Sequence, residues 1–459
     1  MMRPVSLAGL LCLLACAAAW AQQTVGFDIG SFANRAPGVT LSDFAGAVYL
    51  PAPELSREMG IGWTRYDFSW GAIEPKKERW EWANTDRLVL ESHARGIEIL
   101  PVLDYTAPWA ASKQGDAFSP PQRTQDWEAF VEHVVARYSR APFNLRYFQV
   151  WNEPTWTPMT FWHASGEEWV DRIFLPAAEI MRRYDCRVVF GGWPVADAAN
   201  LFRVLDYHGA ARWTDIVDIH YFENSVWQQI HDRYVKPGTC RGIWQTEIGF
   251  HSFPNYLPNC YLRALHWALR HGWTEPSQYK LFWFASWGAG DDGPKCLTQT
   301  GPDGKAILSE HGKRLAVMNQ VLGGETLSVF SGFAARPDLA PELREQAPTV
   351  LGFKVGDKRV VVGLLFDSAT YEKNPSAALA IRPPFEARRA YMITATGERQ
   401  ELSLRPRDPG QRTHSGVGTR DGGYGRGYAV RVPMRRVPLE VARGWGGEWR
   451  VAIAYVVIE

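Results

Sequence analysis

An excess of charge of either sign is missing from this sequence. Fifty Lys and Arg stand against 49 Asp and Glu, a formal net charge of +1. Phosphate binding needs a basic footprint, so the near-balance argues against a nucleic-acid partner and against an anionic membrane surface. Long apolar runs are missing too. Leu7–Ala19 is too short to span a bilayer, and no later segment is long and apolar enough to do so. Cysteine is scarce, six residues in 459 with no C-x-x-C pair, which excludes the usual zinc patterns. Gly26-Phe-Asp-Ile-Gly30 lacks the spacing of a dinucleotide-binding turn. No cofactor is expected, and no repeat of solenoid length is present. What remains is an ordinary soluble composition, 46% hydrophobic and 22% charged, in a chain long enough for two domains. It is expected to act as a monomer.

What is present begins with an export signal. Arg3 gives a positive start, Leu7–Ala19 an apolar core and Ala19-Trp20-Ala21 a small-x-small cleavage site ahead of Gln22. Residues 1–21 therefore read as a signal peptide, and the mature chain as secreted or periplasmic. Leu13-Leu14-Ala15-Cys16 also resembles the lipobox of bacterial lipoproteins. Simple export is preferred, and anchoring at Cys16 is the alternative.

From residue 22 to 322 one theme repeats, a short β-rich run followed by an amphipathic helical stretch. The strand candidates are Val25–Ile29, Trp63–Phe68, Ile97–Leu103, Tyr147–Trp151, Arg187–Phe190, Ile216–His220, Ile243–Thr246 and Leu281–Phe284. Helical patterns lie between them, one opened by the capping signature Ser165-Gly-Glu-Glu168. Eight strands alternating with helices predict an α/β fold, a (β/α)8 TIM barrel. From 323 to 459 helical periodicity stops. Val350–Val355, Arg359–Phe366, Ala378–Ile381, Ala390–Thr394, Tyr428–Val432 and Trp449–Val457 read as strands of a C-terminal β-sandwich domain. Four cysteines remain after the signal, an even number that suggests disulfides in an exported chain. Cys186 and Cys240 precede strands at the barrel bottom, whereas Cys260 and Cys296 follow strands near the top. A disulfide cannot span the barrel, so the pairs expected are Cys186–Cys240 and Cys260–Cys296.

Active sites of such barrels form at the C-terminal ends of the strands. Read there, the sequence offers Arg65 and Asp67, Asp104-Tyr105, Trp151-Asn152-Glu153-Pro154, His220-Tyr221, Thr246-Glu247 and Ala285-Ser286-Trp287. Two glutamates thus stand at the mouth on the fourth and seventh strands, roughly opposite one another. Glycosidic bond cleavage needs such a pair, a proton donor for the leaving oxygen and a carboxylate on the other face of the sugar. Arg65 and Tyr221 are placed to keep Glu247 ionised. Glu153, less favourably solvated and beside a second carboxylate, is expected to hold a proton.

Trp151-Asn152-Glu153-Pro154 resembles the acid/base motif of the retaining (β/α)8 glycosidases called clan A, and Thr246-Glu247 their nucleophile. Asn-Glu-Pro followed by Phe161-Trp162 resembles family 39 in particular. Arg65-x-Asp67-x-x-Trp70-x-x-Ile73-Glu74-Pro75 and Trp82-x-x-x-Asp86 also resemble the clan, so the likeness spans about residues 60 to 290. Thr155 departs from family 39, which often has Asn there, and family 5 stands as the alternative. The resemblance implies that Asn152 holds the sugar 2-hydroxyl, that His220 and Tyr221 orient the nucleophile, and that Trp287 lies under the reacting sugar. Eighteen of the 21 tryptophans fall between residues 63 and 287, as a carbohydrate-stacking cleft would need. Trp109 and Trp156 are further stacking candidates, with core packing an equal reading, and Asp104 is either a substrate contact or a structural partner.

Each reading has a plainer rival. Glu153 also reads as a helix N-terminal acid, Arg65 as a partner of Asp67 or Glu74, and His220 as a satisfied core histidine. His220 and Glu247 lack a third metal ligand at sensible spacing, so no metal is expected. The function expected is a secreted retaining glycoside hydrolase acting on an oligo- or polysaccharide. The alternative is a non-catalytic carbohydrate-binding or matrix protein on the same barrel.

Overall fold

Short apolar runs without alternation suit strands covered on both faces, and this chain uses them to build a closed barrel. The structure is a computed structural model that describes residues 38–155, 161–249, 253–286, 295–336, 349–367, 376–406, 427–444 and 447–459. Eight parallel strands form the barrel: β1 (Ala45–Val48), β2 (Trp63–Ser69), β3 (Glu98–Asp104), β4 (Tyr147–Val150), β5 (Arg187–Val189), β6 (Ile216–His220), β7 (Gly242–Ile248) and β8 (Tyr279–Phe284). Each pairs with the next, β5 meets β6 through Val189 and Ile216, and β8 returns to β1. Every residue of β6, β7 and β8 is buried.

The first strand differs from the expectation. Val25–Ile29 lies outside the described residues, and Ala45–Val48 occupies the place beside β2 and β8. Ala-Gly-Ala-Val carries little β-propensity, so the run gives no strand signal. Its smallness has a cause: a Cβ on Gly46 would meet the Phe282 ring at 2.2 Å.

Helices α1 (Ala83–His93), α2 (Thr124–Tyr138), α3 (Leu175–Arg183), α4 (Leu201–Asp206), α5 (Tyr256–Arg270) and α6 (Glu310–Leu322) cover the outside. The Ser165 signature opens a helical segment as read, with the Ser165 hydroxyl accepting the Glu168 N–H at 3.1 Å. A π-helical turn at Val170–Phe174 leads from there into α3. Among the described residues no helix is long and apolar enough to cross a membrane.

After α6 the chain turns to antiparallel sheets. The larger sheet contains β9 (Leu327–Val329), β11 (Thr349–Val355), β12 (Arg359–Phe366), β14 (Ala390–Thr394), β15 (Arg399–Leu402), β17 (Leu439–Gly444) and β18 (Gly447–Ile458). The smaller contains β10 (Phe333–Arg336), β13 (Ala377–Ile381) and β16 (Tyr428–Val432), with Arg405–Pro406 at its edge. Alternation along β18 assigns the two faces of the larger sheet. Ala452, Ala454, Val456 and Ile458 share a core with Leu379, Ile381 and Val430 of the smaller sheet. Val451, Ile453, Tyr455 and Val457 join the core of the barrel. The larger sheet is therefore the middle layer between the smaller sheet and the barrel.

Two expectations need correction. Cys186, Cys240, Cys260 and Cys296 are all buried, and none forms a disulfide. Cys186 Sγ lies 3.6 Å from the Tyr184 carbonyl and Cys240 Sγ 3.4 Å from the Ala211 carbonyl, so these thiols turn to different backbone acceptors. Burial pushes the Cys186 thiol up to about 11 and the Cys240 thiol up to about 12. Cys260 packs in the main core, whereas Cys296 sits in a separate cluster with Val48, Phe282 and Phe284. The abundance of tryptophan is also mainly a packing feature. Trp70, Trp127, Trp151, Trp162, Trp169, Trp193, Trp227, Trp244 and Trp283 are fully buried.

Candidate active site

The strand ends converge on one buried polar cluster. Arg65 comes from β2, Gln149 from β4, Asn152 and Glu153 from the turn after β4, His220 and Tyr221 from the end of β6, and Thr246 and Glu247 from β7. Consecutive residues of a regular strand point to opposite faces. Between β6 and β7 the register slips after Ile219, so that His220 pairs with Glu247. A bulge of this kind re-aims side chains. Here Thr246 and Glu247, although adjacent, both bond to residues of the cluster.

The turns are held in a conformation that side chains rarely adopt. Trp151, Glu153 and Tyr221 have φ of 68°, 45° and 61°, and Tyr49 after β1 has 52°. Left-handed backbone at non-glycine residues costs roughly 1 kcal/mol or more each and gathers where a site over-determines the chain. Hydrogen bonds supply that constraint: Glu153 N–H donates to the Gly191 carbonyl at 2.9 Å, and Tyr221 N–H to the Glu247 carbonyl at 3.0 Å.

Arg65 organises the floor. Its Nη1 donates to Glu247 Oε1 at 2.6 Å, its Nη2 to Asn152 Oδ1 at 2.8 Å and its Nε to Gln149 Oε1 at 3.0 Å. Tyr221 donates to the other Glu247 oxygen at 2.6 Å. On the far side His220 Nδ1 lies 3.0 Å from Glu153 Oε1 and 3.6 Å from Glu247 Oε2. One oxygen from each glutamate and one ring nitrogen of His220 fall within 4.8 Å of one another.

Burial decides the protonation states. It pushes the Glu153 carboxyl well above the usual carboxylate range, and the Glu247 charge adds to the rise. Burial also raises Glu247, but Arg65 and the Tyr221 hydroxyl pull it back. Glu247 is thus the member of the pair that ionises first. Burial and the Arg65 charge drive His220 well below its ordinary value, so its ring is neutral.

The triad Glu153, His220 and Glu247 supplies the third metal-ligating group that sequence spacing did not offer. Arg65 and Tyr221 already take both oxygens of Glu247, so the arrangement reads as a hydrogen-bonded acid pair rather than a metal cradle.

The remaining expected residues fall in several places. Arg65 is buried at 1% exposure with its donors engaged, so it acts on Glu247 and Asn152 rather than on a ligand. His220 is equally buried and approaches Glu153 more closely than Glu247. Asn152 Nδ2 donates to the Tyr105 hydroxyl at 3.0 Å. Tyr105 packs against Phe118 and Phe161, giving half-buried aromatic surface beside the carboxyls. Trp109 belongs elsewhere, edge-on to Trp70 with its N–H on the Glu74 carbonyl at 2.8 Å. Asp104 is fully buried beside Asp67, and burial together with that neighbour raises its carboxyl well above the usual range. Trp156 and Trp287 lie outside the described residues.

Three participants were missed in the sequence. Gln149 fixes Arg65, and Asp218 accepts both the N–H and the hydroxyl of Thr246, at 3.0 and 2.7 Å. Tyr105 was noted only as a strand end. Gln149 and Asp218 each interrupt an apolar strand, and Asp218 shares a strand face with His220, which was the available signal.

No protein-family model matches the sequence, and no curated protein does. Solved structures do match in fold. A family 39 glycoside hydrolase from Bacteroides cellulosilyticus WH2 is 15% identical over 92% of this chain and 83% of its own, with a TM-score of 0.56. A family 30 endoxylanase from Clostridium papyrosolvens C71 is 12% identical over 92% of this chain and 97% of its own, with a TM-score of 0.55. The family 39 enzyme from Xanthomonas axonopodis pv. citri is 17% identical over 93% of this chain and 96% of its own, with a TM-score of 0.53. At these identities the likeness is one of fold alone.

Proposed function

We propose that this chain is an exported retaining glycoside hydrolase that cleaves an O-glycosidic bond of an oligo- or polysaccharide by double displacement. The observation that carries the reading is the carboxyl pair with oxygens within 4.8 Å, one member paired with Arg65 and Tyr221 and the other against a neutral histidine. Carboxyls of retaining enzymes lie about 5–5.5 Å apart, whereas inverting enzymes leave about 6.5–9.5 Å for a water.

The roles follow from the environments. Glu153, pushed up by burial, holds the proton and gives it to the leaving oxygen. Glu247, held ionised by Arg65, attacks the anomeric carbon, and Tyr221 keeps the attacking carboxylate in line. Glu153, now a carboxylate, then takes a proton from the water that releases the sugar. Export rests on the first 21 residues, and peptide sequencing of the mature N-terminus tests it. A lipid-modified Cys16 would replace soluble export with anchoring.

Glu247→Gly is expected to abolish hydrolysis and to be rescued by azide, giving a glycosyl azide of configuration opposite to the substrate. Glu153→Ala is expected to spare aryl glycosides with good leaving groups, which need no proton, and to lose roughly 10²–10⁴-fold on poor ones. Chelators are expected to leave activity unchanged. Full activity of both variants on a polysaccharide would overturn the assignment. Glycan binding by the wild-type protein without hydrolysis across a broad aryl-glycoside panel would favour a non-catalytic carbohydrate-binding role.

A further inference from the structure

Behind Glu153 the hydrogen bonds continue into the barrel. His220 Nδ1 lies 3.0 Å from Glu153 Oε1, and His220 Nε2 lies 3.0 Å from Thr246 Oγ1. The Thr246 hydroxyl donates to Asp218 Oδ2 at 2.7 Å, and the Thr246 N–H to Asp218 Oδ1 at 3.0 Å. His220 and Asp218 are 0% exposed, so the chain of bonds runs from the site mouth to a carboxyl sealed from solvent.

Donor counting allows two complete directions. Thr246 has one hydroxyl proton. When Asp218 takes it, the threonine oxygen accepts from His220, which places the ring proton on Nε2 and leaves Nδ1 bare. Glu153 then completes the chain only by carrying a proton itself. The reverse order is also complete. Moving the Glu153 proton to Nδ1, the Nε2 proton to Thr246 and the Thr246 proton to Asp218 leaves the proton count unchanged and puts the charge on Glu153. The surrounding charges choose between the two. Burial raises both carboxyls well above the usual range and Glu247 adds to the rise at each, but two hydrogen bonds from Thr246 work with Arg65 against it at Asp218, whereas at Glu153 only Arg65 does.

We propose that Asp218, through Thr246 and His220, is the positioning residue that keeps the proton on Glu153 and so keeps the site competent to protonate a leaving group. This rests on the hydrolytic reading of Glu153. It assigns to an interior residue, which no ligand reaches, control over the basic limb of activity. Arg65, Glu247, Glu153 and His220 are the charged and titratable groups that set the balance around Asp218.

The test is Asp218→Asn. The asparagine oxygen still accepts the Thr246 N–H, but its amide donates to Thr246 Oγ1 and turns the threonine proton toward His220 Nε2. The ring proton then sits on Nδ1 and stabilises the Glu153 carboxylate. The basic limb of kcat/KM is expected to fall by about one pH unit or more. At neutral pH a phenyl glycoside, which needs the proton, is expected to lose roughly tenfold or more, and the dinitrophenyl glycoside much less. Thr246→Val, which cuts the chain, is expected to act alike, and Thr246→Ser to restore the wild-type profile. Nitrogen NMR of His220 in the wild-type protein reads the same arrangement without a variant, with the proton expected on Nε2.

A wild-type basic limb in Asp218→Asn, equal losses on both glycosides, or a wild-type His220 proton on Nδ1 would each overturn the relay. If Glu153→Ala behaves as an acid variant in the same assays, the hydrolytic reading stands without it. If Glu153→Ala keeps full activity on the phenyl glycoside, that reading falls and takes the relay with it.

Discussion

Gly192 shows how closely the residues of the cluster are fitted. It has a φ of 61°, and a Cβ placed there would meet His220 Nε2 at 2.4 Å and Cε1 at 2.5 Å. Both atoms belong to a fully buried ring fixed by Glu153 and Thr246. Gly192→Ala therefore strains the backbone and displaces the histidine at once. Strain and overpacking together are expected to cost about 2–4 kcal/mol of stability, read by denaturant titration. Activity on poor leaving groups is expected to fall more than activity on good ones, and a wild-type ratio between them would contradict a role for His220 at Glu153. At this scale the sequence was legible where chemistry shows itself as a motif. Asn152 and Glu153 stand in a recognisable four-residue run, and Glu247 at a strand end. Asp218 and Gln149 were not legible, because a polar residue inside a barrel strand acquires its meaning only when another strand brings a partner.

The elements carry a different kind of information. Most strands were legible because burial on both faces writes itself as a run of Val, Ile, Leu and Phe, and Ile216–His220, Arg359–Phe366 and Ala390–Thr394 match the structure end to end, as does the half-buried, alternating Tyr428–Val432. β1 was not legible, since Gly46 is dictated by the Phe282 ring rather than by strand propensity. The slip between β6 and β7 was equally hidden, because a bulge depends on the partner strand. Between elements, His266 of α5 makes a pH-dependent contact. It packs edge-on against Phe353 of β11 at 5.4 Å, and burial, with Arg270 near it, lowers its pKa from 6.5 to about 4. Between those values the unfolded chain binds the proton more readily than the folded one. The stability contributed by neutral His266 is therefore whole above pH 6.5 and is lost as the pH falls toward 4, by at most about 3 kcal/mol. Replacing His266 by Leu is expected to flatten this part of the stability profile. Urea titrations at neutral pH and near pH 4.5 measure it, and an unchanged difference between the two would refute the assignment.

At the scale of the whole molecule, the question is whether the C-terminal sheets are an appendage or part of the barrel's own stability. Asn255, at the start of α5, sits where they meet. Its N–H donates to Glu440 Oε2 at 2.7 Å, its side-chain amide to the Val451 carbonyl at 3.1 Å, and its oxygen accepts Arg314 Nε from α6 at 3.1 Å. Arg314 in turn reaches Glu440 at 2.8 Å, and Arg263 of α5 reaches the Thr349 hydroxyl at 2.8 Å. These groups are mostly buried, and the apolar face of β18 beneath them belongs to the same core as the barrel helices. A barrel separated from the sheets would expose that face and leave buried polar groups without partners. The two parts are therefore expected to unfold together, in one calorimetric transition rather than two. Asn255→Ala removes two side-chain hydrogen bonds at the junction and is expected to cost about 1–3 kcal/mol, lowering the single transition without splitting it. Two resolved transitions in the wild-type protein, or an Asn255→Ala variant of unchanged stability, would show instead that the sheets ride on the barrel without bracing it.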